Sequence, residues 1–216
     1  FTTALRTAIG KYKGIWREKQ AHDLGALVIK KILLDSKVEP SFVDEVIMGQ
    51  VVTGNVGQNP ARQAAIKAGI PKEKTSYVVN QVCGSGLRSI VAGYQSILLG
   101  DAKIIIAGGQ ESMTNAPHYL NYRLGKNFSE EKLKDTMLVD GLIDVYNDYH
   151  MGITAENVAE KWNISRKDQD DFSISSQTKA QEAIKNKKFQ LEIIDHTSQD
   201  EHPRTKVTNE SLLKLK

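Results

Sequence analysis

The chain has 216 residues, 40% of them hydrophobic and 25% charged, enough for one good core or a core with an inserted subdomain, and outside the range of disordered chains. Its 29 basic and 26 acidic residues are interspersed and leave a net charge of +3, which argues against a nucleic-acid protein, and no apolar run is long enough to span a bilayer. A single cysteine permits no intrachain disulfide and suits a reducing compartment, for which the cytoplasm and the mitochondrial matrix both fit, and the five histidines form no i, i+4 or C-x-x-C pattern, so no metal site is expected.

Residues 1–5 lack the charged-then-apolar layout of a secretory signal. Residues 3–8 read as a first strand, broken at Gly10 and Gly14. Residues 21–34 read as a helix with Ala21, Leu24, Val28 and Ile32 on one stripe, ended by Asp35, Ser36 and Pro40. Residues 43–52 read as a buried strand and 54–57 as a turn. Pro60 suits the first turn of the next helix, where its missing N–H costs nothing. That helix carries Ala61, Ala64, Ala65 and Ala68 at helical spacing, a face that lets backbones approach closely; Gly69 and Pro71 close it.

Tyr77, Val78 and Val79 form a β-type run. The stretch Asn80-Gln81-Val82-Cys83-Gly84-Ser85-Gly86-Leu87-Arg88 follows, then a helical pattern with Leu87, Ile90, Val91, Tyr94 and Leu98 at i, i+3, i+4, i+7 and i+11, ending at Gly100. A thiol thus falls at or near a helix N-terminus, where unpaired N–H groups and the positive end of the macrodipole favour an anionic nucleophile. Gly84 and Gly86 read as room for a substrate beside the sulfur. Ser85 is a poor nucleophile candidate, because a serine elbow would need glycine where Cys83 stands. Nor is this a dinucleotide fingerprint, because Ser89 occupies its third glycine position. Residues 103–109 then form an apolar strand ending in paired glycines. The β-α-β-α-β-α-β pattern predicts an α/β layered sheet with helices on its faces and ligands at the strand ends.

After Glu111 the chain becomes polar and rich in helix formers, with no strong strand until residues 192–194. Thr154 reads as the cap of a helix through Trp162. Ser165 caps the next helix with Asp168 in the capping-box position, and Phe172, Ser176, Ala180, Ala183 and Ile184 make its stripe. Lys185, Lys187 and Lys188 read as a solvated helix end. The division expected is 1–111 as an incomplete α/β N-terminal domain, 112–205 as a mainly helical inserted loop domain, and 206–216 as the return to the first.

The stretch around Cys83 closely resembles the acyl-enzyme motif of thiolases, the acetyl-CoA acetyltransferases. Residues 6–10 (RTAIG), 57–64 (GQNPARQA), 108–114 (GGQESMT) and 149–157 (YHMGITAEN) with Gly141-Leu142 resemble, in order, further family segments, so the resemblance runs the length of the chain. It implies a thiolase-like fold of which this is the N-terminal part. It implies that Cys83 attacks an acyl-CoA thioester and carries the acyl group, which passes to a second acetyl-CoA to give acetoacetyl-CoA, or to coenzyme A in reverse. A thiolate serves both as nucleophile and as leaving group for this.

By the same resemblance His150 and Met151 line the pantetheine and substrate end with Leu142 beside them. Arg204 lies near the CoA nucleotide, where a guanidinium suits phosphate or adenine, and Ser211 is a weaker candidate for that region. Residues 112–135 resemble, in position, the loop through which some members form tetramers, implying a homodimer or homotetramer. The family's substrates are CoA thioesters and no further cofactor is expected; the interspersed charges and the lack of a long apolar run leave no nucleic-acid or membrane partner expected. The sequence departs from the family in holding no Asn-Glu-Ala-Phe segment, no Gly-His-Pro histidine and no second cysteine. Residues around 197–199 look shortened against the family. The expectation is a segment of a longer chain, with at most weak acylation and no condensation on its own. Two other readings stand beside it: a condensing enzyme that uses carrier-protein substrates, and a CoA-binding or partner-dependent half without catalysis.

Overall fold

The computed structural model describes residues 1–123, 125, 133–195 and 199–215. Three parallel strands, β1 (Glu45–Gly49), β2 (Thr75–Val79) and β3 (Ile105–Gly109), form a sheet in the order β2-β1-β3. Register is direct: Glu45 stands beside Thr75 and Ile105, and Gly49 beside Val79 and Gly109. Strand β1 is therefore covered on both edges, and its Val46, Ile47 and Met48 are buried.

Alternation along β1 divides the core between the two faces of the sheet. Val46 and Met48 pack with Ile29 and Leu33 of helix α1 (Ala21–Ser36) and with Ala61, Ala64, Ala65 and Ala68 of α2 (Pro60–Ala68). The alanine face of α2 thus serves close packing, as its spacing predicts. The buried stripe of α1 runs through His22, Ala26, Ile29 and Leu33, one position on from the predicted stripe, whose Leu24, Val28 and Ile32 are only half-buried. Each fully buried Val or Ile contributes roughly 1.5–3 kcal/mol of transfer free energy.

Helix α3 (Ser85–Leu99) packs on β1 and β3. Its buried residues are Ser85, Ser89 and Gly93, not the apolar stripe. Ser89 Oγ lies 2.7 Å from the carbonyl oxygens of both Gly86 and Gly108, and a Cβ on Gly93 would stand 3.0 Å from Ile105 Cγ2. Small residues bring α3 down onto the strands, and Leu87, Tyr94 and Leu98 face outward, each more than half exposed. The periodicity found the helix, and its apolar stripe lies on the side away from the sheet.

The predicted first strand at residues 3–8 is not formed. Arg6 makes a single parallel bridge to Ile193, and the predicted strand at 192–194 is reduced to the same bridge. The observed order in the first half is α1-β1-α2-β2-α3-β3.

Beyond Glu111 come two short antiparallel ladders, β4 (His118–Tyr119) with β5 (Lys134–Asp135) and β6 (Ile143–Asp144) with β7 (Tyr149–His150). A turn of π-helix, Met137–Leu142, leads into β6. Helices α4 (Met151–Lys161), α5 (Arg166–Lys185) and α6 (Asn209–Leu212) follow. Thr154 lies inside α4, which His150 caps instead. Ser165 and Asp168 form the predicted capping box of α5. On α5 the predicted stripe is only partly inward: Phe172 and Ser176 are exposed, whereas Ile174, Gln177, Ala180, Ala183 and Ile184 are half-buried. The loop assigned to tetramer formation and the shortened stretch near 197 fall partly outside the described residues.

Candidate functional site

The site begins where β2 ends. Residues 81–84 make a tight turn closed by the Gly84 N–H donating to the Gln81 carbonyl at 3.0 Å. Val82, its first central residue, has φ +50°, and Cys83, its second, is not among the positive-φ residues. Those are the φ signs of a type II′ turn, whose first central position favours glycine. A β-branched residue there costs on the order of 1–3 kcal/mol of backbone strain.

Side chains on either side hold this turn. Asn80 Oδ1 accepts from the Val82 N–H at 2.9 Å, an Asx-turn. Ser85 Oγ accepts from the Gln81 N–H at 2.9 Å and donates to the Val82 carbonyl at 2.6 Å. Ser85 itself is buried, its hydroxyl donating one of these hydrogen bonds and accepting the other. The sequence reading missed these two holding residues. Asn two positions before a turn residue, and Ser at the first helical position, were the available signals.

The outcome is a free, solvent-exposed thiol: Cys83 sits on the turn just ahead of α3, at the C-terminal end of the parallel sheet. Among the described residues no side chain hydrogen-bonds to it. An open hollow bordered by Gln50, Thr53, Asn59 and Asn80 adjoins the turn.

Gly86 lies where the backbones of α3, β1 and β3 come together. Its Cα stands against Gly109, where a Cβ on Gly109 would come within 3.4 Å of the Gly86 Cα, and a Cβ on Gly49 would stand 2.6 Å from the Gly86 nitrogen. Gly49, and to a lesser degree Gly109, thus let the start of α3 touch the ends of β1 and β3, whereas a Cβ on Gly86 itself would meet only ordinary contacts at 3.9 Å.

Beneath the strand ends lies a polar layer. Gln110 Nε2 donates to Gln50 Oε1 at 2.9 Å, and Gln50 Nε2 to the Val52 carbonyl at 2.8 Å. Glu111 Oε2 accepts from the Val51 N–H at 2.8 Å, while its Oε1 is buried without a partner. Burial pushes the Glu111 carboxyl above its usual range, against the opposing effect of the Val51, Val52 and Ser112 N–H groups.

Of the other predicted site residues, three are brought together. The β6–β7 register sets Ile143 against His150, and Leu142 and Met151 are the chain neighbours of that pair, at the end of the π-helical turn and the start of α4. His150 is exposed, and its Nδ1 accepts from the Gly152 N–H at 3.0 Å, which leaves Nε2 as the nitrogen facing outward. Met151 is also exposed. Arg204 and Ser211 lie at different points along α5 and are not brought together: Gln177 stands beside Arg204, whereas α6 is tied to Arg166 at the start of α5 through the Leu212 carbonyl. The Arg204 N–H donates to Gln177 Oε1 at 2.7 Å, and Ser211 lies in α6, its N–H held at 3.2 Å by Thr208 Oγ1. No hydrogen bond or ion pair among the described residues links any of these residues to Cys83.

The fold and site together are a parallel α/β sheet with an exposed thiol on a strained turn ahead of a helix. A family model described as the N-terminal domain of thiolase matches residues 2–216, and the chain belongs to that family. It is 49% identical over 224 residues to an acetyl-CoA acetyltransferase of Rhizobium meliloti (strain 1021), covering 99% of this chain and 57% of that one. It is 52% identical over 195 residues to an acetyl-CoA acetyltransferase of Paracoccus denitrificans, covering 90% of this chain and 50% of the relative. The crystal structure of the Bacillus anthracis acetyl-CoA acetyltransferase superposes with a TM-score of 0.93 at 33% identity, covering all of this chain and 57% of that one. The chain thus spans about half the length of the relatives it matches.

Proposed function

We propose that the protein carrying this chain is an acetyl-CoA C-acetyltransferase and that Cys83 is its acyl carrier. The observation that carries this reading is the exposed thiol on the turn before α3, within a fold matching an acetyltransferase over its whole length. Cys83 Sγ attacks the thioester carbonyl of acetyl-CoA. The bond from sulfur to the acetyl carbon forms, the bond from that carbon to the CoA sulfur breaks, and the thiol proton ends on the departing CoA. In the second half-reaction a base takes a proton from the methyl of another acetyl-CoA. The resulting carbanion attacks the acetyl group and releases the Cys83 thiolate, giving acetoacetyl-CoA. With coenzyme A as attacking thiol the sequence runs in reverse.

His150, Met151 and Leu142 form the candidate pantetheine end, supported by their shared end of the β6–β7 ladder. Arg204, beside Gln177 of α5, is the candidate for the nucleotide end, and Ser211, on α6, is the weaker one. The chain has one cysteine and no Gly-His-Pro segment, so the proton-transfer groups that the family resemblance assigns to both half-reactions lie outside these residues. The outward apolar stripe of α3 fits a surface covered by further polypeptide. The edge of β2 away from β1, where no further strand pairs among the described residues, fits a homodimer contact.

Intact mass before and after incubation with acetyl-CoA tests the reading. The expected result is a gain of one acetyl group, lost in Cys83→Ser. No acetylation of a folded protein at its natural length, or acetylation surviving Cys83→Ser, overturns it.

A further inference from the structure

We infer that Ser85 is a positioning residue for Cys83: its hydroxyl clasps both sides of the turn and holds Val82 in the left-handed backbone conformation that sets where the sulfur points. This rests on the reading of Cys83 as acyl carrier. The geometry is specific. Val82 has φ +50°, which a β-branched side chain adopts only under constraint. The Ser85 Oγ bonds to Gln81 and Val82 span that residue on both sides, at 2.9 and 2.6 Å. The clasp is rigid because Ser85 is buried and lies on the first turn of α3, which the glycine contacts with β1 and β3 anchor to the sheet. Strain at the turn is therefore resisted from the helix by the Ser85 hydroxyl, two residues after the nucleophile, beside the Asn80 bond to the Val82 N–H and the Ser85 N–H bond to the Val82 carbonyl at 3.1 Å, both of which Ser85→Ala keeps.

Without the clasp Val82 relaxes toward negative φ, a rotation on the order of 100° or more between allowed regions, and the sulfur moves with it. A misplacement of roughly 1 Å at a reacting atom costs about 100-fold in rate. Glycine at position 82 removes the need for the clasp, because glycine takes positive φ freely. The two positions are thus coupled in a predictable direction.

The test uses the protein expressed from its complete reading frame, in the variants Ser85→Ala and Val82→Gly/Ser85→Ala. Two rates are read on each: Cys83 acetylation by acetyl-CoA, from intact mass, and Cys83 alkylation by iodoacetamide at fixed pH. Ser85→Ala is expected to slow acetylation at least about tenfold, with kcat falling and KM for acetyl-CoA held. The double variant is expected to recover most of that loss, and the alkylation rate is expected to change in Ser85→Ala and return in the double variant. Unchanged rates in Ser85→Ala overturn the proposal, as does a folded double variant that stays as slow as Ser85→Ala. A double variant that does not fold also overturns it, since Ser85 would then serve the helix and not the turn. If Ser85→Ala alone fails to fold, a folded and active double variant supports the clasp. If the parent is not acetylated, the acyl-carrier reading fails by itself, and the alkylation rates still decide whether Ser85 positions the thiol.

Discussion

Arg6 and Asp200, 194 residues apart, form a two-pronged ion pair, with Nη1 to Oδ1 at 2.7 Å and Nη2 to Oδ2 at 3.0 Å. Arg6 Nε also meets Glu192 at 2.7 Å, and Asp200 Oδ1 accepts from the Ile9 N–H at 2.7 Å. Glu201 continues the seam by accepting from the N–H groups of Lys11 and Ile15. Carboxylates on one late segment thus organise a loop at the start of the chain, where the sequence reading expects a strand.

Asp200→Asn is expected to lower stability by about 1.5–3 kcal/mol, the range for hydrogen bonds to charged groups. The Arg6 hydrogen bonds hold the Asp200 carboxyl below its usual value, against burial. Its contribution is therefore present above the unfolded-state pKa of about 3.9 and is lost as pH falls through the lower folded value. Urea unfolding across the acid limb checks this: the gap between parent and variant should close at low pH. A constant gap would separate the loss from the ionised pair.

The buried carboxyl of Glu111 gives the opposite sign. Its folded pKa is raised by burial. The neutral form is favoured in the folded chain, so its contribution is full below the unfolded-state pKa of about 4.3 and is lost as pH rises through the folded value. Glu111→Gln keeps an acceptor for the Val51 N–H and removes the charge. It should melt higher than the parent at pH 7, by about 2–4 °C for each kcal/mol gained, and match it near pH 4. A variant that melts lower at pH 7 would mean that the Val51 and Val52 N–H groups need the full carboxylate.

How much of this was legible follows from which forces act locally. The alanine face of α2, the Ser165–Asp168 box and the glycine stop of α3 are short-range effects, and each appears where spacing and residue type predict. The thiol ahead of a helix was legible for the same reason. The facing of α3 was not, because periodicity finds a stripe without saying which side meets a sheet, and close approach there selects Ser89 and Gly93 over Leu87 and Leu98. The strain at Val82 was hidden because valine signals a strand; only its neighbours Asn80 and Ser85 carry turn chemistry. The Arg6–Asp200 seam depends on a contact between distant residues that no local window contains.

His22, on the buried face of α1, supplies a second pH response. Its Nδ1 is buried without a partner, and its Nε2 lies 4.0 Å from Asp23, which Lys67 pairs. Burial, with a smaller effect of Lys67, lowers its pKa, while Asp23 opposes the shift. A depressed histidine contributes stability above its unfolded-state pKa of about 6.5 and loses it as pH falls. His22→Gln should therefore flatten the decline in melting temperature as pH falls below about 6.5. An unchanged slope over that range would assign the decline to other groups.

Gly49 tests whether the thiol-bearing helix depends on close backbone approach. It ends β1 opposite Val79 and Gly109, and a Cβ there would collide with the Ser85 carbonyl and stand 2.6 Å from the Gly86 nitrogen. Both obstacles are backbone in the first turn of α3, so no flexible side chain can yield; either the strand or the helix must move. Overpacking typically costs 1–3 kcal/mol, and a contact with rigid backbone belongs at or beyond the top of that range. Gly49→Ala is expected to destabilise the chain by about 3 kcal/mol or more. Gly69→Ala tests the other determinant of glycine use: no atom lies within 4 Å of a Cβ there, but φ is +95°. That change should cost about 1–2 kcal/mol from conformation alone. Urea midpoints for the two variants separate the effects. A Gly49→Ala protein no less stable than Gly69→Ala would show that the start of α3 can lift from β1, and that the position of Cys83 does not depend on this contact.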